Sequence, residues 1–316
     1  MLRLDKKNGD TVAVVYNFAC HPIQGVPSHG NTADIIGFAS KVIEENMSEG
    51  AVALFLQGCA GDINPAFYKD TDHPRDAEPL GQMLGLSALR ALRATTPNEE
   101  TPLVVIHETL ELPRANTAER IVALETEQVR LLQSLHGTSL NLKTFLPLVV
   151  KYGVSPEFPS HYAHRYLHEE ALGRNDLNEL DAENRTNMEL YMENIHTMEA
   201  LTRLQANLNL LRKHQATNQA AEKPTIGVDI MGVRIGEFVL VTFPGEPSVQ
   251  VGLNIKEHSP HELTFVAGYT NGYIYYAPTA EQLGNTDTAQ EDCDCLLASE
   301  WQQVYESSIA ALLKKL

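Results

Sequence analysis

The sequence predicts an α/β protein: a mixed sheet core with flanking helices and an inserted helical hairpin. Short apolar runs rich in β-branched residues end abruptly at small and polar residues, which is typical of buried strands. Amphipathic stretches with helical spacing lie between them. A long helical pattern then separates two β-rich regions. We therefore expect residues 1–112 and 224–316 to form one domain in two halves and residues 113–223 to form a helical insert.

The first half opens with a strand, helix, strand pattern. Strands are predicted at residues 11–16 and 51–56, and a helix at Asp34–Glu45, whose first residue is a good helix cap. A second helix is predicted at residues 76–93 and a further strand at residues 103–112. This order is typical of a βαβ-like unit in which polar residues gather at the strand ends.

The insert and the second half differ sharply in periodicity. Residues 117–133 and 176–214 repeat apolar positions every three or four residues, which predicts helices. The second half returns to β character and ends with helical patterns. Strands are expected at residues 226–235, 238–243 and 263–267, and helices at residues 247–257, with Pro247 in the first turn, and 296–316.

Composition excludes several classes of protein. The chain has 316 residues and a net charge of −17, which argues against nucleic-acid binding and against electrostatic docking on an anionic membrane. No apolar run is long enough for stable membrane insertion, and residues 1–10 lack a signal-peptide pattern. Four cysteines are too few for a disulfide scaffold, so we expect Cys20 and Cys59 to be small buried side chains.

Four segments at predicted strand ends carry the candidate chemistry. His21 follows the first strand, and a neutral imidazole there suits a divalent metal, although a hydrogen-bonded core histidine is the ordinary alternative. Asp62 and Asn64 lie in the glycine-containing loop after the second strand, where turn formation is the alternative role. Glu246 lies where a strand passes into a helix, and residues 268–278 are dense in tyrosine.

Five phrases, in order, resemble the neutral/alkaline non-lysosomal ceramidase family. They are CHP at 20–22, NTADIIG at 31–37, QGCAGDINP at 57–65, FPGEP at 243–247 and NGYIYY at 271–276. The resemblance covers residues 8–95 and 224–316 and implies the N-terminal catalytic domain of that family. Because the family has a further portion before the first phrase, we expect this chain to lack the first part of the domain. A secreted or extracytoplasmic location is implied for a longer form.

The resemblance implies a zinc site and an amidase reaction. In the family, two histidines, a glutamate and a tyrosine hold the catalytic Zn²⁺; here His21, Glu246 and Tyr276 match the second histidine, the glutamate and the tyrosine. The first histidine belongs to an upstream segment without a counterpart here, so we expect this chain alone to bind zinc weakly. The implied reaction is metal-assisted hydrolysis of an N-acyl bond, with a small-molecule substrate of sphingolipid type.

Departures from the family leave the substrate open. Asn64 stands where the well-studied ceramidases have a serine, and an amide cannot act as a nucleophile. We assign Asp62, Asn64 and Tyr273 as candidate catalytic residues. A further family tyrosine has no counterpart in residues 285–289.

Three interpretations follow. The first is a ceramidase-like zinc amidase. The second is a zinc hydrolase that acts on a different acyl or small polar substrate, and the third is a non-catalytic remnant that binds a ligand or partner.

Overall fold

The computed structural model describes residues 1–98, 102–285 and 289–316. The strands are β1 Leu2–Asp5, β2 Thr11–Phe18, β3 Val52–Gln57, β4 Leu103–Pro113, β5 Thr225–Ile235, β6 Phe238–Thr242, β7 Glu246–Pro247, β8 Thr264–Ala267 and β9 Tyr276–Ala277. The helices are α1 Asp34–Glu45, α2 Glu78–Leu92, α3 Ala118–Gln133, α4 Leu142–Val154, α5 His164–Ala171, α6 Asp176–Ala220, α7 Val249–His258, α8 Ala280–Leu283, α9 Gln290–Cys293 and α10 Trp301–Leu313. The predicted α/β class is confirmed.

The chain divides into two compact units. The first comprises residues 1–117 and 210–316, and the second comprises residues 118–209. The helix α6 contributes residues to both. None of the helices formed by the described residues is long and apolar enough to cross a membrane.

The first sheet of the larger unit has the order β1-β2-β3. The strand β1, which the sequence analysis missed, pairs antiparallel with β2, and β2 pairs parallel with β3. The helices α1 and α2 cover one face of this sheet, where Val14 and Tyr16 pack with Ile43, Leu89 and Leu92. The βαβ-like opening is therefore confirmed, and the carboxyl ends of β2 and β3 lie side by side.

The second sheet has the order β4-β5-β6-β8, with antiparallel pairs except for the parallel pair β6 and β8. Its core contains the aromatic rings of Phe243, Trp301 and Tyr305. The polar groups of Trp301 and Tyr305 both form hydrogen bonds. Trp301 Nε1 donates to the Pro278 carbonyl at 2.8 Å, and the Tyr305 hydroxyl donates to the Thr242 carbonyl at 2.9 Å.

Two predicted helix boundaries are wrong. Pro247 does not begin a helix; it lies in β7, which pairs in parallel with β9, and α7 starts at Val249. The terminal helix starts at Trp301 rather than at 296, because the backbone there pairs with the end of β4. The Ala298 N–H donates to the Pro113 carbonyl at 3.0 Å, and Leu297 forms a β-bridge with Arg114.

The helical region also differs in detail from the expectation. The helix α6 runs to Ala220, since its last turns are held by polar contacts that periodicity does not reveal. The Gln215 Oε1 atom accepts from the Thr117 N–H at 2.6 Å, and Asn218 Nδ2 donates to the Ala115 carbonyl at 2.9 Å. The helix α4 was missed because Pro147 interrupts its pattern.

Within the second unit, a buried carboxylate joins three helices. The Asp181 carboxylate on α6 accepts from the Tyr152 hydroxyl at 2.7 Å, from the Tyr166 hydroxyl at 2.6 Å and from Lys151 Nζ at 3.1 Å. Tyr152 and Lys151 belong to α4, and Tyr166 belongs to α5. The buried charge is thus well compensated by hydrogen bonds.

Candidate active site

The loop after β2 places His21 in a buried position. Its backbone N–H donates to the Ile63 carbonyl at 2.9 Å, which joins this loop to the loop after β3. The next turn is fixed by the buried carboxylate of Asp34, which accepts from the N–H groups of Gln24 and Gly25 at 3.2 and 2.6 Å. The His21 imidazole is therefore held between two anchored loops.

The short pair of strands β7 and β9 places Glu246 beside Tyr276, its register partner. Glu246 is 6% exposed. The loop after β3 packs on its backbone: a Cβ atom on Gly61 would lie 2.4 Å from the Glu246 carbonyl oxygen, and the Gly61 N–H donates to the Pro247 carbonyl at 3.0 Å. Only glycine allows this approach without a shift of one segment.

The segment between β8 and β9 has an unusual backbone. Tyr269, Asn271 and Tyr275 have φ angles of 57°, 63° and 66°, and Gly272 has a φ angle of 142°. Non-glycine residues in the left-handed region are uncommon and cluster at functional sites. This conformation turns the hydroxyl groups of Tyr269 and Tyr273 onto the Glu246 carboxylate.

These elements bring one imidazole, one carboxylate and several phenols together. The Tyr269 hydroxyl donates to Glu246 Oε2 at 2.5 Å and lies 3.3 Å from His21 Nδ1. The Tyr273 hydroxyl donates to Glu246 Oε1. The His21 Nε2 atom lies 3.5 Å from Glu246 Oε2, and the ring centroids of His21 and Tyr276 are 6.1 Å apart. We call these five side chains the His-Glu-Tyr cluster.

Burial and the neighbouring carboxylate raise the pKa of each phenol in the cluster. For Tyr269 and Tyr273, burial is the larger cause, followed by the hydrogen bond to Glu246. For Tyr276, burial is followed by the negative charge of Glu246 and a hydrogen bond to it. A phenol with a raised pKa keeps its proton at neutral pH, so all three groups are hydrogen-bond donors there.

One feature of the cluster suits a cation. The buried His21 Nε2 atom has no hydrogen-bond partner within residues 1–98, 102–285 and 289–316, although a buried polar atom ordinarily has one. It faces the Glu246 carboxylate across 3.5 Å. An imidazole nitrogen, a carboxylate and a phenol are all zinc donors, so the residues present fit a zinc ion, with Tyr the least usual of the three.

A second set of contacts supports the tyrosine segment from α6. His214 is 1% exposed, and its Nε2 atom lies 2.5 Å from Asp294 Oδ1. The Asp294 carbonyl accepts from the Tyr276 N–H at 3.1 Å. The His214 ring packs against the Tyr275 ring, with centroids 4.6 Å apart, and the Tyr275 carbonyl accepts from the Glu246 N–H at 3.0 Å.

The predicted catalytic residues lie in different places. Tyr273 is part of the cluster. Asp62 is exposed, and its carboxylate contacts two helices: Oδ1 accepts from the Val249 N–H of α7 at 2.7 Å, and Oδ2 accepts from Gln282 Nε2 of α8 at 3.0 Å. Asn64 is half-buried in the same loop. The family tyrosine that has no counterpart here was expected in residues 285–289. Of these, residues 286–288 lie outside the described residues.

Tyr269 was not among the site residues predicted from the sequence. Its position two residues after a buried strand and two residues before the turn-forming Asn271-Gly272 pair was the available signal. Within the same described ranges, no group of three or more His, Cys, Asp or Glu residues is arranged to hold a metal ion, so any metal here would need tyrosine donors.

The fold of this chain is similar to that of the neutral ceramidases, as the motifs predicted. The structure of neutral ceramidase from Pseudomonas aeruginosa matches with 15% identity and a TM-score of 0.53 over 99% of this chain and 46% of that one. A structure of a ceramidase complexed with C2 matches with 18% identity and a TM-score of 0.52 over 99% and 47%. The chain thus spans about half the length of these proteins. No family model and no curated protein sequence matches it.

Proposed function

We propose that this chain is a ceramidase-like, zinc-dependent amide hydrolase with the His-Glu-Tyr cluster as its reaction site. The observation that carries the proposal is the convergence of a buried imidazole, a buried carboxylate and protonated phenols on one point, where the loops after β2 and β8 meet the short strand pair β7 and β9. Strained backbone and perturbed pKa values in one cluster support a catalytic site over a structural one.

The donors for zinc are His21 Nε2, Glu246 and Tyr276. When bound, zinc lowers the pKa of a coordinated water and polarises the amide carbonyl. The chain itself orients the carboxylate: the hydroxyl groups of Tyr269 and Tyr273 donate hydrogen bonds to Glu246 and fix its position. Because these phenols stay protonated, they can also donate hydrogen bonds to an amide oxygen on which negative charge develops.

The substrate class is an N-acyl amide, and a sphingolipid amide is the first choice because the structural neighbours are ceramidases. The alternative is a different acyl or small polar substrate, because Asn64, in the loop beside His21, stands where the ceramidases have a serine. The third interpretation, a ligand-binding protein without catalysis, is favoured by one observation: the Glu246 carboxylate is already bound by two phenols.

The proposal is tested by the release of free amine from N-acetylsphingosine in the presence of zinc. We expect Glu246→Gln to lower the rate by about 100-fold or more, as loss of an essential charged group does. Glu257→Gln is the matched control, since Glu257 is exposed on α7. No turnover by the wild type removes the amidase proposal, and equal turnover by Glu246→Gln moves the reaction away from this cluster.

A further inference from the structure

The buried His214 side chain has no role in the proposed reaction, yet its burial is costly. It belongs to the last part of α6, which lies in the larger unit, and it is 1% exposed. Its Nε2–H donates to Asp294 Oδ1 at 2.5 Å, since a carboxylate only accepts. Its other ring nitrogen, Nδ1, is buried without a hydrogen-bond partner in the part of the chain that the structure describes. An unpartnered buried nitrogen destabilises a fold, so core packing alone does not explain a histidine here.

The hydrogen bond to Asp294 leads to one of the proposed zinc donors. Asp294 directly follows the short helix α9, and its N–H donates to the Gln290 carbonyl at 3.0 Å. Its own carbonyl accepts from the Tyr276 N–H at 3.1 Å. His214 thus holds the Asp294 side chain, while the Asp294 backbone holds Tyr276 in β9.

The His214 ring leads to the other donor on these strands through Tyr275. The centroids of the two rings are 4.6 Å apart, and Lys213 Nζ, from the same helix, lies 4.5 Å from the Tyr275 centroid. Tyr275 has a φ angle of 66°, a conformation that a bulky residue keeps only where its surroundings hold it. Its carbonyl accepts from the Glu246 N–H at 3.0 Å. Two successive residues of α6 therefore contact the residue that fixes the Glu246 backbone.

We propose that His214 is a positioning residue for the His-Glu-Tyr cluster. It holds the backbone of Tyr276 through Asp294 and the backbone of Glu246 through Tyr275. Groups behind metal ligands commonly set the orientation of those ligands in this way. The inference rests on the proposed hydrolysis for the choice of substrate, but the two backbone hydrogen bonds can be measured without zinc and without turnover.

Two variants separate the hydrogen bond from the ring. His214→Phe keeps a ring against Tyr275 but removes the donor to Asp294, whereas His214→Gln places an amide nitrogen near the position of Nε2 and keeps a donor. Asp294→Ala removes the acceptor, a side chain that is 20% exposed, and replaces His214→Phe if that variant does not fold. The matched control is His261→Phe, because the half-buried His261 ring bonds the Leu313 carbonyl at 2.9 Å.

The test uses two measurements on the whole chain. Amide hydrogen exchange of Glu246 and Tyr276, followed by NMR without zinc, reports the two backbone hydrogen bonds. Hydrolysis of N-acetylsphingosine with excess zinc gives kcat and KM. We expect His214→Phe to speed both exchange rates and to lower kcat about tenfold with little change in KM, as loss of a group that orients metal ligands does. His214→Gln should restore both measures, and His261→Phe should change neither.

Exchange rates and kcat at the wild-type level in His214→Phe, or in Asp294→Ala, overturn the inference. Equal losses in His214→Phe and His214→Gln also overturn it, because the donor to Asp294 would then be irrelevant. If exchange responds as expected but the wild type hydrolyses no amide, the positioning contacts stand and the proposed hydrolysis falls. Hydrolysis by the wild type with an unchanged kcat in His214→Phe leaves the hydrolysis standing and removes His214 from it.

Discussion

At the scale of single residues, Tyr269 is the side chain that holds the candidate site together. Its hydroxyl lies between the Glu246 carboxylate and the His21 ring, at 2.5 and 3.3 Å. Its left-handed backbone conformation, with a φ angle of 57°, is costly for a bulky residue and is maintained by hydrogen bonds of its neighbours. The Tyr269 N–H itself donates to the Gly245 carbonyl at 2.9 Å, directly before Glu246.

Replacement of this hydroxyl tests the residue directly. Tyr269→Phe keeps the ring but removes the donor to Glu246, so we expect amide hydrolysis to fall about 100-fold, as for loss of one preorganised donor. The free energy of unfolding should fall by about 1–3 kcal/mol, because the buried Glu246 carboxylate loses one hydrogen-bond donor while the ring contacts remain. Steady-state kinetics and thermal unfolding measure the two effects, with Tyr68→Phe as the control; unchanged kinetics in Tyr269→Phe would show that the hydroxyl has no role in the reaction.

At the scale of elements, the site depends on how the loop after β3 packs against β7. Gly61 contacts the Glu246 backbone more closely than any side chain permits, and Asp62 holds the first N–H of α7. The nine-residue phrase at 57–65, which resembles the family, therefore acts in this structure largely through its backbone. Asp62 also satisfies a helix N-terminus, where a carboxylate is favourable.

A methyl group at Gly61 should disturb this packing. The new Cβ atom would meet the Glu246 carbonyl oxygen at 2.4 Å, so one segment must move. We expect Gly61→Ala to lower the free energy of unfolding by about 1–3 kcal/mol and to reduce hydrolysis by displacing Glu246. Gly137→Ala, at a position with no atom within 4 Å, should be neutral. Chemical denaturation compares the two; equal stabilities would mean that the loop adapts freely.

At the scale of the whole molecule, the two units are stabilised differently. The larger unit has an extensive apolar core around Trp301 and Tyr305, whereas the second unit includes the buried Asp181 carboxylate among its helices. Burial alone would raise the pKa of Asp181, but hydrogen bonds from Tyr166, Tyr152 and Lys151 outweigh it, so the pKa is lowered. This interaction stabilises the fold above the unfolded pKa of about 3.9, and its contribution is lost as the pH falls through the folded pKa.

The same reasoning predicts the effect of removing the charge. Asp181→Asn should destabilise the second unit by about 2–3 kcal/mol at pH 7, since it weakens several hydrogen bonds to a charged group. The difference from wild type should shrink as the solution is acidified. Hydrogen exchange of residues 118–209 between pH 3 and 7 follows this unit alone. Glu183→Gln, an exposed position on α6, should leave exchange unchanged, and an effect as large as that of Asp181→Asn would refute the role of burial.

The sequence predicted the parts of the fold and site that depend on local pattern. Strand and helix periodicity located the βαβ-like opening, and the family phrases located His21, Glu246, Tyr273 and Tyr276, which the structure brings together. The start of α7 and the role of Tyr269 depend instead on contacts between residues distant in sequence. Pro247 pairs with β9 instead of starting a helix, and Tyr269 reaches Glu246 only because its backbone is left-handed. Neither property is encoded in hydrophobic periodicity.

The most direct test of the central claim is a zinc titration in which bound zinc and N-acetylsphingosine hydrolysis are measured in the same samples. We predict that both rise together in the wild type, at an excess of free zinc because the expected affinity is weak, and approach about one zinc per chain. Both should be lost in His21→Ala, which removes the imidazole that faces Glu246. Hydrolysis that proceeds without bound zinc, or zinc bound equally well by His21→Ala, would contradict a metal-dependent reaction at this cluster.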